Sequence, residues 1–281
     1  MFSACRWKVA KKRLAMPPQR PRRPANTITR CEKHTAQPQD FPVTTPAYGH
    51  LASLWNVYAG WFVPCYGEFI SSAGRHYGVP TNSVLDLACG TGLLSRQLAP
   101  RVETVVGLDA NELMLGQARH LTNEPNVRYA QGDFRDFSLG THFDAALCGS
   151  DSLNYLQTPG ELADVFTCVR RHLRPGGFFV FDVIDDLFCQ QTAGIKVVSV
   201  VAGQHFEMYY FYDRDRRVCS PRLVFGDAVE EHRRIPIERK DVDQAAAAAG
   251  MTVAEHFSAN TFQTPAKPMT RQFYVVRQSA H

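Results

Sequence analysis

The sequence predicts an α/β fold, a doubly wound and mostly parallel sheet with helices on both faces. Three observations predict it. From residue 84 to residue 182, short apolar runs alternate with helical stretches, the pattern of a parallel sheet with crossover helices. The runs are nearly continuous in apolar residues, as strands covered on both faces must be. A glycine turn, Cys89-Gly90-Thr91-Gly92, joins the first run to the first helix.

The elements follow in order. Residues 48–66 are aromatic-rich and broadly helical, and a helix running on through 71–77 stops at Gly78-Val79-Pro80. Residues 84–88 form a buried strand, and 93–98 begin a helix after the glycine turn. Residues 104–108 form a second strand, closed by Asp109. A helix over 111–121 is capped near Asp109 or Asn111. Strands follow at 127–130 and 143–148. An amphipathic helix over 159–173 stops at Arg174-Pro175-Gly176-Gly177, ahead of a strand at 178–182. Between residues 196 and 237 the helical pattern disappears. Apolar and aromatic runs at 197–201, 205–212, 222–225 and 232–237 read as an antiparallel insert of three or four strands, with a turn at 213–216. A helix at 241–250 ends on glycine, and strands at 251–257 and 272–277 finish the chain.

Composition narrows the class. Hydrophobic residues make up 44% of 281 residues and charged ones 21%, enough for a substantial core. No run approaches the roughly 18 apolar residues of a membrane span. The net charge of +4 is unevenly placed: residues 1–40 carry ten Lys/Arg against two Asp/Glu, leaving 21 against 25 elsewhere. An acidic body argues against an enzyme that grips nucleic-acid phosphates. Eight cysteines are scattered, without C-x-x-C or zinc spacing, so the reading is a reducing, cytoplasmic protein with no metal. The domain reading is a basic, disordered extension over 1–40, a helical cap over 41–80, and an α/β body over 81–281 with the insert at about 190–240. The proline-rich head has three readings: a disordered tail, translated sequence upstream of a later start, or a targeting peptide.

A strand, a glycine turn and a helix build a ligand site at the carboxyl ends of parallel strands. Glycine permits close approach of a ligand, and the helix N-terminus offers free N–H groups to an anion. Asp109, ending the next strand, can accept hydrogen bonds from both hydroxyls of a ribose. Any adenosine cofactor suits these parts. A dinucleotide fingerprint needs a third glycine, and here Gly92 is followed by Leu93-Leu94-Ser95.

At residues 84–92 the chain resembles class I S-adenosylmethionine-dependent methyltransferases. The resemblance runs on through Gly107-Leu108-Asp109-Ala110-Asn111, Gly132-Asp133-Phe134, residues 143–147 and residues 173–180. It implies a Rossmann-like seven-stranded sheet, mostly parallel with the last strand antiparallel, carrying the β insert and an aromatic N-terminal helical cap. It also implies S-adenosylmethionine as cofactor and S-adenosylhomocysteine as product. Asp86, Ala88, Gly90 and Gly92 would hold the methionine end. Asp109 and Ala110 would hold the ribose, Asp133 and Phe134 the adenine, and Cys148, with the residues on to Asn154, would face the sulfonium and the acceptor. Plainer readings stand beside these: a βα turn for the glycines, a helix cap for Asp109, a solvated turn for Asp133.

Methyl transfer asks mainly for alignment and exclusion of water. Asp151, and Tyr or His residues of the caps, are the candidate bases; His205 and His232 of the insert read as structural or exposed. Tyr58, Trp61, Tyr66, Asn154 and Tyr210 are the candidate acceptor contacts, because aromatic walls suit a small organic or cationic acceptor. The expectation is N- or O-methylation of a small molecule by a monomer or homodimer, without nucleic acid or membrane. A nicotinamide-dependent oxidoreductase and a non-catalytic binding protein are the alternatives.

Overall fold

The computed structural model describes residues 28–60, 63–263 and 268–278. In chain order the helices are α1 (Leu51–Ala59), α2 (Pro64–Tyr77), α3 (Leu93–Leu98), α4 (Glu112–Leu121), α5 (Leu162–His172), α6 (Asp186–Thr192) and α7 (Arg239–Ala248). The strands are β1 (Ile28–Lys33), β2 (Ser83–Leu87), β3 (Thr104–Asp109), β4 (Val127–Gln131), β5 (Phe143–Cys148), β6 (Leu173–Val183), β7 (Ile195–Val201), β8 (Gln204–Tyr209), β9 (Tyr212–Asp213), β10 (Val218–Cys219), β11 (Arg222–Phe225), β12 (Ala228–Glu231), β13 (Met251–Gln263) and β14 (Pro268–Gln278).

The main sheet has seven strands in the order β13-β14-β6-β5-β2-β3-β4. The five from β6 to β4 are parallel, and β14 runs antiparallel to both neighbours. Alternation along each strand feeds two cores. Leu85, Leu87, Ala146, Phe179 and Phe181 face α5 and α7, meeting Phe166, Val169, Val242 and Ala246. Val84, Ala145, Leu147, Phe178 and Val180 face α2 and α3, meeting Phe69, Ile70, Leu94 and Leu98. The central strands β2 and β5 are buried along their whole length, which is why those runs read as nearly continuously apolar, while the edge strand β4 is partly exposed.

Local chemistry sets the boundaries. Gly78 ends α2 in the left-handed region, at φ 64°. The Asn111 side chain accepts the Leu113 and Met114 N–H groups and caps α4. Asp144 is buried and accepts the N–H groups of Asn82 and Ser83 at 2.9 Å while pairing with Arg174 at 2.8 Å. It thereby pins the start of β2 to β5 and β6. No helix among the described residues is long and apolar enough to cross a membrane.

The second sheet is five-stranded and antiparallel, in the order β1-β7-β8-β11-β12. Its buried face, with Val197, Val201, Phe206, Met208 and Leu223, packs on Leu51 and Leu54 of α1 and Phe188 of α6.

Several expectations are corrected here. The disordered head was expected to reach residue 40, but Ile28–Lys33 pairs strand for strand with Ile195–Val201. An edge strand draws its hydrogen bonds from a partner over 160 residues away, which local composition cannot reveal; residues 1–27 lie outside the described residues. The helical stretch 48–66 divides into two helices, with Pro64 at the start of α2, where its missing N–H costs nothing. Of the 41–80 cap, only α1 sits with the insert; α2 packs on the main sheet. The run 205–212 ends as a strand at Tyr209, and 232–237 forms only a single bridge, Cys219 to Arg234. Helix α6, capped by the Asp185 side chain accepting from Phe188 N–H, was not foreseen.

Candidate active site

The main sheet changes its direction of growth at β2, flanked by β3 on one side and β5 on the other. A crevice opens there at the carboxyl ends of the strands, as this topology requires. It is a cleft of about 270 Å³, lined by Asp86 and Ala88 at the end of β2, Asp109 and Ala110 at the end of β3, Asp133 and Phe134 after β4, and Gly149 and Ser150 after β5.

The glycine loop is held in an unusual shape. Ala88, Gly90 and Gly92 all adopt positive φ, at 53°, 57° and 69°. For Ala88 this conformation costs about 1–2 kcal/mol, and such strain collects at functional sites. Asp109 fixes the loop: one carboxylate oxygen accepts Gly90 N–H at 2.7 Å and the other Asn111 N–H at 2.8 Å. Each oxygen keeps a lone pair for the cleft. Asn56 of α1 accepts from Thr91 Oγ1 at 2.8 Å and from Arg96 at 3.1 Å, tying the cap to the loop.

Burial shapes the charges. Asp86 is buried, and Ser95 Oγ donates to it at 2.6 Å. Desolvation lifts its carboxyl from the ordinary 3.8 to about 7. Asp109 is raised for the same reason, against the backbone bonds it accepts. Asp133 goes the other way, held below its usual range by hydrogen bonds from Arg135, which also pairs with Glu161 at 2.6 Å.

Against the sequence-based expectations, Asp86, Ala88, Gly90, Asp109, Ala110, Asp133, Phe134 and Tyr66 converge on this cleft. Gly92 and Cys148 do not line it. A Cβ on Gly92 would stand 2.0 Å from Tyr129 Oη, so this glycine makes room for a neighbouring ring. Cys148 is fully buried in the core. Tyr58 and Tyr210 line a smaller cavity of about 60 Å³, together with Asp151, His232, Arg234 and Arg271. Asn154 is buried and structural: its amide donates to the carbonyls of Ile184 and Ile235 and accepts Ile184 N–H. Trp61 lies outside the described residues.

Asp151 is no free base. Its two oxygens are taken by Arg234 and by Arg271, the latter at 2.5 Å. Arg271 also holds Asp182 at 3.0 Å, and Asp182 accepts Tyr66 Oη at 2.8 Å. Tyr66 in turn accepts Ser150 N–H at 2.9 Å. Two carboxylates and two guanidiniums thus brace the left-handed Ser150-Asp151 turn from below.

Sequence reasoning missed Arg234, Arg271, Tyr48 and Tyr155 as site residues. Tyr48, Trp55, Ser150 and Tyr155 line both cavities and form the wall between them. The sequence carries no signal for Arg234 or Arg271, which lie 37 residues apart on different elements. The aromatic character of 48–66 did point to Trp55.

An open sheet with a glycine loop and a ribose-height acid at its switch point defines an enzyme that binds an adenosyl group. The model of the Methyltransferase domain family matches residues 84–177. The Bacillus subtilis protein YqeM, named as a methyltransferase, is 39% identical over 168 residues, spanning 55% of this chain and 68% of its own. A Streptomyces fradiae dTDP-3-amino-3,6-dideoxy-α-D-glucopyranose N,N-dimethyltransferase is 37% identical over 195 residues, spanning 64% of this chain and 73% of its own. Among solved structures, an S-adenosylmethionine-dependent methyltransferase from Clostridium acetobutylicum shares the fold with a TM-score of 0.69 at 21% identity, over 83% of this chain and 99% of that one. The chain belongs to the class I S-adenosylmethionine-dependent methyltransferases.

Proposed function

We propose that this enzyme methylates the amine of a small polar acceptor, with an amino sugar as the model acceptor. The observation that carries the reading is the pair of adjoining cavities. The larger has the glycine loop and Asp109; the smaller, beyond Tyr48 and Tyr155, is lined by aromatic rings and charged side chains. The Streptomyces fradiae relative, named for an amino-sugar substrate, supports an amine as the nucleophile.

When bound, S-adenosylmethionine supplies a methyl carbon already activated by its positive sulfur. The residues present fit it. Asp86 is a buried carboxylate suited to the ammonium of the methionine end. Asp109 has lone pairs free for the ribose hydroxyls. Phe134 offers a ring beside the adenine, and Asp133, held by Arg135, stands at that end. Trp55 and Tyr66 close the cleft and keep water from the reacting atoms. Tyr58 and Tyr210 give the acceptor cavity aromatic walls, which favour a cationic amine.

We assign the enzyme to the cytoplasm, as a monomer or homodimer that needs no nucleic acid. None of the seven described cysteines is in a disulfide, which supports the compartment, and the acidic balance of the body supports the lack of a nucleic-acid partner.

Calorimetry with S-adenosylmethionine, S-adenosylhomocysteine and NAD tests the cofactor reading. Wild type binds the first two, and Asp109→Ala loses about 100-fold or more in affinity, the worth of a pair of charge-assisted hydrogen bonds. Binding of NAD alone refutes the reading. An affinity unchanged in Asp109→Ala refutes the ribose role. Methyl uptake from labelled cofactor by amines, phenols and carboxylates then identifies the acceptor class.

A further inference from the structure

A file of polar side chains crosses the wall between the two cavities. Tyr48 and Tyr155 bring their hydroxyls within 3.1 Å of each other. Tyr155 Oη lies 2.7 Å from Nδ1 of His232. His232 Nε2 lies 3.2 Å from Oε2 of Glu230. Tyr155 lines both cavities, His232 lines the smaller one, and Glu230 is fully buried behind them.

The chemistry of the far end sets the direction of every bond in the file. Glu230 also accepts the backbone N–H groups of Tyr48 at 3.1 Å, of His50, and of Leu51 at 3.1 Å. Burial alone would push its carboxyl up. The bonds from His232 and from these N–H groups outweigh burial and hold it below the usual range. An ionised Glu230 only accepts, so His232 Nε2 carries a proton, and in the neutral imidazole Nδ1 is left as the acceptor. With that tautomer Tyr155 donates to Nδ1 and accepts from Tyr48. Asp151, Arg234 and Arg271 are the other charged groups around this cavity, and Asp151 is spent on the two arginines.

We propose that Tyr155, His232 and Glu230 form the proton-accepting relay of methyl transfer, with Tyr155 facing the acceptor nitrogen. This rests on the methyltransferase reading given above. The nitrogen lone pair forms the new bond to the methyl carbon, and the carbon–sulfur pair stays on sulfur as a neutral thioether. The N–H proton passes to Tyr155 Oη as the tyrosine's own proton passes to His232 Nδ1. The imidazolium so formed rests against the Glu230 carboxylate. Burial lifts Tyr155 to about 12, so the phenol passes the proton on rather than standing ionised. Glu230 is a positioning residue: it fixes the His232 tautomer and, through the N–H groups of residues 48–51, docks the cap that carries Tyr48.

The relay is tested in two arms on the full chain. In the first, nitrogen-15 NMR of His232 without any acceptor reports the tautomer. Nδ1 unprotonated and Nε2 protonated is the expected result, with the Nδ1 resonance shifting in Tyr155→Phe and the tautomers mixing in Glu230→Gln. A protonated Nδ1 in the resting enzyme overturns the relay, whatever the acceptor. In the second arm dTDP-3-amino-3,6-dideoxyglucose is the probe. Tyr155→Phe and His232→Gln are expected to lower kcat about 100-fold, the usual scale of general-base catalysis, with the affinity for S-adenosylmethionine unchanged. An unchanged kcat overturns the relay. A wild-type enzyme that leaves this probe unmethylated counts against the amino-sugar reading alone, and the nitrogen resonances still decide the relay.

Discussion

Binding of S-adenosylmethionine should release a proton from Asp86. This carboxyl is buried, has Ser95 Oγ beside it, and titrates near pH 7 because desolvation penalises its charge. At about pH 7 it is therefore about half protonated. An ammonium docking against it requires the carboxylate, so about half a proton leaves per ligand bound at pH 7, approaching one near pH 6 and none above about pH 8.5. Calorimetric titration in two buffers of different ionisation enthalpy counts these protons directly. The same burial sets a stability effect of defined sign. The folded carboxyl binds its proton more tightly than the unfolded one, so the folded state holds more protons between pH 4 and 7 and loses stability as the pH rises through that window. A rise from 3.8 to about 7 corresponds to about 4 kcal/mol. Asp86→Asn should thus be more stable than wild type above pH 7, by at most about 4 kcal/mol, with the difference vanishing below about pH 4. It should bind the ligand with no proton release and about 10–100-fold more weakly. Wild type that releases no proton between pH 6 and 7 would refute this account of Asp86.

Three further outcomes follow from particular contacts. Arg271→Met leaves the buried Asp182 carboxylate without its guanidinium and Asp151 with Arg234 alone, and should cost about 3–5 kcal/mol in urea unfolding; a loss under about 1 kcal/mol would mean that the arginine does not neutralise Asp182. Gly92→Ala combines a left-handed φ of 69° with a Cβ 2.0 Å from Tyr129 Oη. The two effects, about 1–2 and 1–3 kcal/mol, should lower the denaturation midpoint, and Gly92→Ala in a Tyr129→Ala background should recover the second part. Asp144→Ala leaves two N–H groups at the start of β2 without their acceptor and should cost about 1–3 kcal/mol by thermal unfolding, although it lies outside the cleft.

Local patterning made the main sheet legible. The strands at 84–88, 104–108, 127–130 and 143–148 are dictated by short, mostly apolar runs bounded by glycine, asparagine and aspartate, and each of these strands is present. The cofactor end of the site was legible for the same reason. Asp86, Ala88, Gly90, Asp109, Ala110, Asp133 and Phe134 sit at strand ends, so strand register alone carries them to one crevice. Gly92 shows where such reasoning overreached: its place in the motif is right, but a tyrosine ring from β4 fills the space expected of a ligand.

The acceptor side was decided by tertiary structure. Asp151 looked like a free acid until Arg234 and Arg271, from the insert and from β14, closed on its two oxygens. Asn154 looked like a substrate contact until its amide was spent on Ile184 and Ile235. His232 gains a role only because Tyr155 comes from the other side of the cavity and Glu230 reaches the N-terminus of α1. The sequence by itself determined the strands and helices of the main sheet and the cofactor-binding loop, because hydrogen-bonding period and turn chemistry act over a few residues. The tertiary structure decided which side chains are free to react, because freedom depends on partners that lie 30 to 182 residues away.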